Sequence, residues 1–321
     1  MIYLNTAIDK PKKKSIWQRC RERWQLFLFI LPPVIFLAIF EYYPMFGVQI
    51  AFKQYSAGLG IWKSPWIGFG NFTRFFQSFQ FSRVIINTLR ISLYSLIVNF
   101  PLSFIFALML NLVRNPKLKK VVQTITYIPY FISVVVVVGM INQLFNPVVG
   151  IYGNIYRLFY PGAYPKSILT RPDAFIHLYI WSGVWQGMGW SSIIYIAALS
   201  SVDPELHEAA MIDGATRWKR VLHIDLPTII PTASIMLILN SGSLLSVGFE
   251  KTYLLQNTAN NAVSEVISTY VYKTGMTTGG GANFSYATAI GLFNSVINLI
   301  FLVTVNTIAK KLGNGEGATL F

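Results

Sequence analysis

Glu208-Ala209-Ala210-Met211-Ile212-Asp213-Gly214, followed after nine residues by Ile224-Asp225-Leu226-Pro227, lies between two long apolar runs and decides how the rest of the chain is read. Val202 to Ala210 reads as a short helix opened by Ser201 or Asp203, whose side chains accept from the first free amides. Pro204 falls at an early position where its missing N–H is harmless. Ala209 and Ala210 leave room for another surface to approach closely. Gly214 lets the chain reverse, a second helix runs from Thr216 to His223, and Pro227 opens the next apolar run. A unit of this shape can seat in a cleft of a partner and move with it; the plainer alternative is an amphipathic connection.

Working outward, apolar runs of about 20 residues recur from Leu26 to the C-terminus, the length that crosses a bilayer as a helix. Hydrophobic residues make up 54% of the chain and charged ones only 12%, more apolar than a soluble domain of this length. Six spans are predicted: Leu26 to Gly47, Val84 to Leu110, Val121 to Phe145, Ala174 to Leu199, Pro227 to Gly248, and Phe284 to Ala309. Prolines 32, 33, 101 and 129 are tolerated in packed membrane helices. The expected organisation is a basic N-terminal segment at 1–25, a six-span transmembrane domain at 26–309 with the loop at 201–226, and a tail at 310–321. No internal repeat is evident, and Thr277 to Gly281 reads as a flexible loop before the last span.

The formal charge of +14 is spread over short segments that flank the spans, which argues for membrane topology and against nucleic acid. Lys10, Lys12, Lys13, Lys14, Arg19, Arg21 and Arg23 precede the first span without a small-residue cleavage site, so this end is expected inside and retained. Trp17 and Trp24 among those arginines fit a helix lying on the inner membrane surface. Six spans then return the C-terminus inside, and Arg114, Lys117, Lys119 and Lys120 in the second inner loop, with Lys310 and Lys311 at the end, agree. The outer segments carry Trp62, Trp66, Phe69, Phe72, Phe75 and Phe76, and tyrosines between Tyr152 and Tyr164; these suit interfacial anchoring or a protein dock. Glu41 and Arg90, near outer span ends, read as snorkelling, and His177 as interfacial.

Several chemistries are excluded. The lone cysteine, Cys20, permits no internal disulfide and no thiolate metal cluster. The three histidines, His177, His207 and His223, lack zinc spacing and have no reason to meet a serine nucleophile. No Gly-x-x-x-x-Gly-Lys-Ser/Thr loop occurs, so ATP hydrolysis by that route needs another subunit.

The E-A-A, three residues, G, nine residues, I-x-L-P pattern resembles the signature loop of permease subunits in binding-protein-dependent importers of the ABC transporter superfamily, matching at every defining position. The basic tail, the six spans and the run from Gly279 to Gly291 look like permeases of the oligosaccharide-importing branch. The chain looks closest to those for polygalacturonan and rhamnogalacturonan fragments. This resemblance implies an all-α membrane protein of the type I ABC importer permease fold, with six transmembrane helices and a cytoplasmic coupling helix between the fourth and fifth. It implies a non-catalytic subunit of the bacterial cytoplasmic membrane, with both termini cytoplasmic. The implied partners are a second, similar permease forming a heterodimer, two copies of an ABC ATPase that hold the ATP and magnesium, and an extracellular sugar-binding protein. Glu208 would contact the ATPase and Gly214 set the elbow, with Ala209, Ala210, Asp213, Arg217, Ile224 and Pro227 completing the coupling set.

Transporter sites tend toward the bilayer midplane. In these spans that depth holds Gly187, Asn240 and the stretch from Asn294 to Asn298, and span four adds Trp181, Trp185, Gln186 and Trp190. Indole faces stack on sugar rings and amides bond hydroxyls. In the maltose-type permeases that this chain resembles, substrate contacts align with Gly187, Trp190, Asn240 and Leu244, the last standing where a polar residue is usual; Ser243 adjoins it. The alternatives are close packing at Gly183 and Gly187 and interhelical hydrogen bonds from the asparagines.

The outer segments hold nine basic residues (Lys53, Lys63, Arg74, Arg83, Arg157, Lys166, Arg171, Lys251, Lys273) against three acidic ones (Asp173, Glu250, Glu265). Such a surplus favours acidic sugars such as uronic-acid oligomers, or an acidic binding protein. An ion-coupled secondary transporter is the rival class; it calls for proton-carrying carboxylates inside the spans and leaves the Glu208 loop unexplained.

Overall fold

The computed structural model describes residues 23–277 and 283–312. The basic segment up to residue 22, with Trp17 and Cys20, most of the glycine-rich stretch and the end of the tail lie outside the described residues. The chain divides into two units after Gln49. In the first, α1 (Trp24–Leu37) continues through a π-turn at Ala38–Tyr42, and the tight helical stretch Phe46–Phe52 that follows carries the chain into the second unit. None of the residues of α1 is buried.

The second unit is also helical, and among the described residues its only strand-like pairing is one bridge between Lys53 and Trp66. α2 (Gly70–Gln77) leads into the long α3 (Phe79–Asn111), opened by Ser78, whose hydroxyl accepts from the Phe81 amide at 3.2 Å. Asn115 caps α4 (Pro116–Tyr127), and α5 (Val134–Leu144) and α6 (Ile151–Phe159) follow. Next come α7 (Pro172–Leu199), α8 (Pro204–Ile212), α9 (Arg217–Arg220) and α10 (Leu226–Ser241). The chain ends with α11 (Phe249–Leu255), α12 (Ile267–Tyr272) and α13 (Phe284–Leu312). α7 packs along α3 and against α4 and α10, while α13 packs on α10, α12 and α2.

Among the described residues four helical stretches are long and apolar enough to cross a membrane: Trp24–Phe52, Phe79–Asn111, Arg217–Ser241 and Phe284–Lys311. A fifth exists if the α4 and α5 stretches count as one broken span. α7 has the length, 28 residues, but its serines, His177 and Gln186 dilute its apolar character.

The expected third span, a single helix over Val121 to Phe145, is instead bent by 99° between Phe131 and Val134. The cause is local. Pro129 sits in a tight turn at Ile128–Phe131, Ile132 and Ser133 are extended, and Ser133 caps α5. The break frees the Ile132 carbonyl, which Gln186 on α7 satisfies through Nε2 at 2.8 Å. Trp190 stacks on Tyr130 at 4.4 Å and meets Phe131 edge-on, and Gly189 lies so close to α4 that a Cβ there would come within 2.3 Å of the Thr126 carbonyl oxygen.

The fifth span likewise stops earlier than Gly248. α10 ends at Ser241, and the freed amide of Leu245 donates to Asn298 Oδ1 at 2.9 Å, while Asn298 Nδ2 donates to the Ser246 hydroxyl at 2.9 Å. At both breaks a side-chain amide from a neighbouring helix replaces the missing backbone partner.

At the opposite end from the loop, the segment after α11 is clasped to α3. Glu265, 5% exposed, pairs with Arg83 and, at 3.2 Å, with Lys273. Asn87 Nδ2 donates to the carbonyls of Ala262 and Glu265, and Thr88 Oγ1 accepts from the Ile267 amide at 3.0 Å.

Candidate functional site: an exposed helical elbow and a hydroxyl-lined cavity

The Glu208 segment forms a helix, Pro204–Ile212, and an elbow, but the expected second helix over Thr216 to His223 is not separate: α9 is one turn that continues through a π-turn at Val221–Asp225 into α10. Asp203 accepts from the Glu205 amide at 3.0 Å and Pro204 takes the first turn of α8. At the far end the Ala215 amide donates to the Ala210 carbonyl and the Gly214 amide to that of Met211, and Gly214 has φ +73. This paired ending requires a left-handed residue, which is why glycine stands there. Thr216 then caps α9.

Glu208, Ala209, Asp213 and Arg217 are exposed, Ala210 and Ile224 half-buried, and Pro227 exposed at the start of α10. Around them Leu206, Met211, Ile212, Trp218 and Leu222 are also exposed, Ile212 at 87%. So many apolar side chains on so short a unit mark a contact surface.

Beneath this surface lies a junction that sequence reasoning did not anticipate. Asp225, 2% exposed, receives His207 Nε2 at 3.2 Å and Asn111 Nδ2 at 3.4 Å on the same carboxylate oxygen. The elbow helix is thereby tied to the residue just before α10 and to the last residue of α3. His207 and Asp225 lie 18 positions apart and nothing local pairs them.

A cavity of about 290 Å³ opens between α3, α7 and α10. Asn240, Ser243 and Leu244 line it, Leu244 being buried. α3 contributes a polar stripe, Ser92, Ser95, Asn99 and Ser103, that the reading of the sequence missed. Its spacing of three, four and four residues is one face of a helix, and that periodicity was the available signal.

From α7 the lining comes from Tyr179, Ser191 and Tyr195. These belong to one ridge at intervals of four, Tyr179, Gly183, Gly187, Ser191, Tyr195, about 24 Å long. A Cβ on Gly187 would meet nothing within 4 Å, so the ridge is lowest there.

The remaining expected path residues lie elsewhere. Trp181 and Trp185 face an apolar recess with Val137 and Met140 on another side of α7. Gln186, Trp190 and Asn298 serve the two helix breaks described above. Asn294 is half-buried and its Oδ1 has no hydrogen-bond partner.

One cation stands close to the cavity. Lys251 of α11, which lies outside the spans, is 8% exposed, and its Nζ donates to the Tyr179 carbonyl at 2.8 Å and stands 4.9 Å from the centre of the Tyr179 ring. Among the described residues no carboxylate pairs with it. Burial pushes its ammonium down to about 8, so it remains mostly charged at neutral pH. Among the described residues no cluster of His, Cys, Asp and Glu is fit to hold a metal ion.

Residues 99–314 match the family described as binding-protein-dependent transport system inner membrane component. Protein LplB of Bacillus subtilis (strain 168) is 41% identical over 291 residues, covering 91% of this chain and 90% of its own length. The polygalacturonan/rhamnogalacturonan transport system permease protein YteP of the same organism is 40% identical over 304 residues, covering 95% and 93%. A chain from the crystal structure of a bacterial ABC transporter involved in the import of the acidic polysaccharide alginate is 40% identical with a TM-score of 0.82, covering 93% of this chain and 99% of that one. A second, from an alginate transporter in complex with alginate pentasaccharide-bound periplasmic protein, is 39% identical with a TM-score of 0.82, covering 93% and 98%. The chain therefore belongs to the family of binding-protein-dependent transport system inner membrane components, the non-catalytic permease subunits of ABC importers.

Proposed function

We propose that this chain is the permease subunit of an importer for oligosaccharides that carry carboxylates, of the galacturonan or rhamnogalacturonan type. The observation that carries this reading is the union, in one set of helices, of an exposed apolar elbow at one end and a hydroxyl-lined cavity above it. α3 and α10 take part in both, so a push on the elbow reaches the cavity walls. The relatives named for polygalacturonan/rhamnogalacturonan and for alginate, together with the basic surplus of the outer segments, support an acidic cargo.

In this reading α7 and the broken α4–α5 pair are also spans, giving six, and both termini face the cytoplasm. The α8 elbow, with Glu208, Ala209, Ala210, Asp213, Gly214, Arg217, Ile224 and Pro227, docks on one of two ATPase subunits that bind ATP and magnesium. A second, different permease completes the path, and an extracellular binding protein delivers the sugar. Gly187, Asn240, Ser243 and Leu244 line the path. Trp181 and Trp185 join it from the second permease's side, Gln186 and Trp190 border it at the α4–α5 break, and Asn294 and Asn298 do so from α13.

Uptake by the reconstituted importer of galacturonate oligomers and of neutral galactose oligomers of equal length tests the reading. Preference for the acidic set is expected. Preference for the neutral set overturns the cargo class, and failure to take up either overturns the sugar-importer assignment.

A further inference from the structure

Two buried lysines have no carboxylate partner among the described residues: Lys53, which donates to the Ile61 carbonyl at 2.7 Å and stands over the Trp66 ring where those two segments pair, and Lys251, which stands beside the cavity. Arg83 and Lys273 answer Glu265, and Asp225 is answered by His207, but Lys251 meets only a backbone carbonyl and the face of a ring. An ammonium has three donors, and one goes to the Tyr179 carbonyl. A buried cation without a counter-ion is unfavourable; Lys53 satisfies a carbonyl in the single turn Gly60–Lys63, whereas the carbonyl that Lys251 meets lies inside the long α7.

The position of Lys251 identifies its task. A Cβ on Gly183 would lie 3.4 Å from Nζ, so the ammonium sits over Gly183. Gly183 lies on the same α7 ridge as Tyr179, Ser191 and Tyr195, which line the cavity, and next along from Gly187, where the ridge is open. The groups that line the cavity are hydroxyls, amides and apolar side chains, and Lys251 stands just behind them, against Tyr179. The lining hydroxyls and amides bond sugar hydroxyls equally well whether the sugar is neutral or acidic.

We propose that Lys251 is the specificity-determining residue of the path, holding the carboxylate of a uronic-acid unit where the ridge is lowered at Gly183 and Gly187. The inference rests on the acidic-oligosaccharide reading above and adds the group that enforces it. α8, α9 and the ATPase contacts are remote from it, so it sets which sugar passes and leaves energy coupling to the elbow.

The test uses the complete importer, this chain with its partner permease, ATPase and binding protein, in proteoliposomes. Initial uptake of galacturonate oligomers and of neutral galactose oligomers of equal length is measured for wild type, Lys251→Gln and Lys251→Arg. The acidic-to-neutral ratio should fall about tenfold in Lys251→Gln, through a raised KM for the acidic oligomer, and be largely kept in Lys251→Arg. Neutral uptake in the same vesicles reports fold and assembly. An unchanged ratio in Lys251→Gln overturns the role of Lys251 while leaving the acidic reading standing. Equal loss of both uptakes also overturns it, because the lysine then serves the fold. Wild type preferring the neutral oligomer overturns the acidic reading itself, and the inference with it.

Discussion

Removing His207 should harm the protein more than removing both His207 and Asp225. The Asp225 carboxylate is 2% exposed and holds two partners, His207 at 3.2 Å and Asn111 at the long distance of 3.4 Å. His207→Ala strands a buried carboxylate with one weak donor. Losing one partner of a fully buried pair costs about 3–5 kcal/mol. The His207 side chain is 25% exposed, so water entering its place reduces that to about 2–3 kcal/mol. Asp225→Ala leaves two neutral-capable donors without an acceptor, about 1–2 kcal/mol. In the double variant no charge is stranded, so its loss should lie below the sum of the singles by about 2 kcal/mol. Thermal unfolding of the purified importer measures this, and sugar transported per ATP hydrolysed measures the consequence. Because the junction joins α8 to α3 and α10, each single variant should hydrolyse ATP with less transport per turnover. Strictly additive stability losses, with transport per ATP unchanged, would refute the argument that the junction links elbow to cavity.

Other expectations follow from the same geometry. Gly189→Ala places a Cβ 2.3 Å from the Thr126 carbonyl oxygen and should destabilise by about 3 kcal/mol, whereas Gly187→Ala meets nothing within 4 Å and should leave the unfolding temperature unchanged. Glu208→Lys reverses the charge on the exposed elbow and should abolish co-purification of the ATPase without lowering the unfolding temperature of the permease pair; full substrate-stimulated ATPase activity in that variant would count against the docking reading. The preference for acidic oligomers should hold below about pH 8 and fade above it as the Lys251 ammonium loses its proton, while Lys251→Arg should keep it to higher pH. The ionisable group that meets Lys251 is Tyr179 on α7; α5, packed on α11, carries none, and on α12 Tyr272 packs on Phe249 and Tyr253 and Tyr270 on Phe75 and Tyr286; a flat ratio between pH 6 and 9 would exclude the lysine's charge as the cause.

How much of this was legible in the sequence depended on the range of the interactions. The elbow was readable because its determinants are local: Asp203 before Pro204, Gly214 at the one left-handed position, and Thr216 opening α9. The 99° break was not, although Pro129 marked its place. A proline tolerated in a continuous membrane helix and one that ends it differ only in whether some other chain segment takes up the freed groups. Here that segment is Gln186, 54 residues away. The polar face of α3 escaped for another reason. Ser92, Ser95, Asn99 and Ser103 are diluted by the apolar residues between them, so average hydropathy saw a span and only the angular spacing shows a lining.

The amides expected at midplane depth divide by what stands opposite them, and their place along the spans alone does not sort them. Gln186 and Asn298 face broken backbone, at Ile132 and at Leu245, and their hydrogen bonds are spent there. Asn240 instead faces the hydroxyl stripe of α3 across the cavity, where no freed backbone group competes for it. A helix break in one span therefore explains a polar residue in its neighbour before any ligand is invoked. By that criterion the two buried lysines part: Lys53 satisfies the Ile61 carbonyl in the single turn Gly60–Lys63, while the partner of Lys251, the Tyr179 carbonyl, is inside α7, in an unbroken helix that has no orphaned acceptor to satisfy. The Lys251 cation is not there to repair the backbone, and the open ridge beside it is the remaining place for its charge to act.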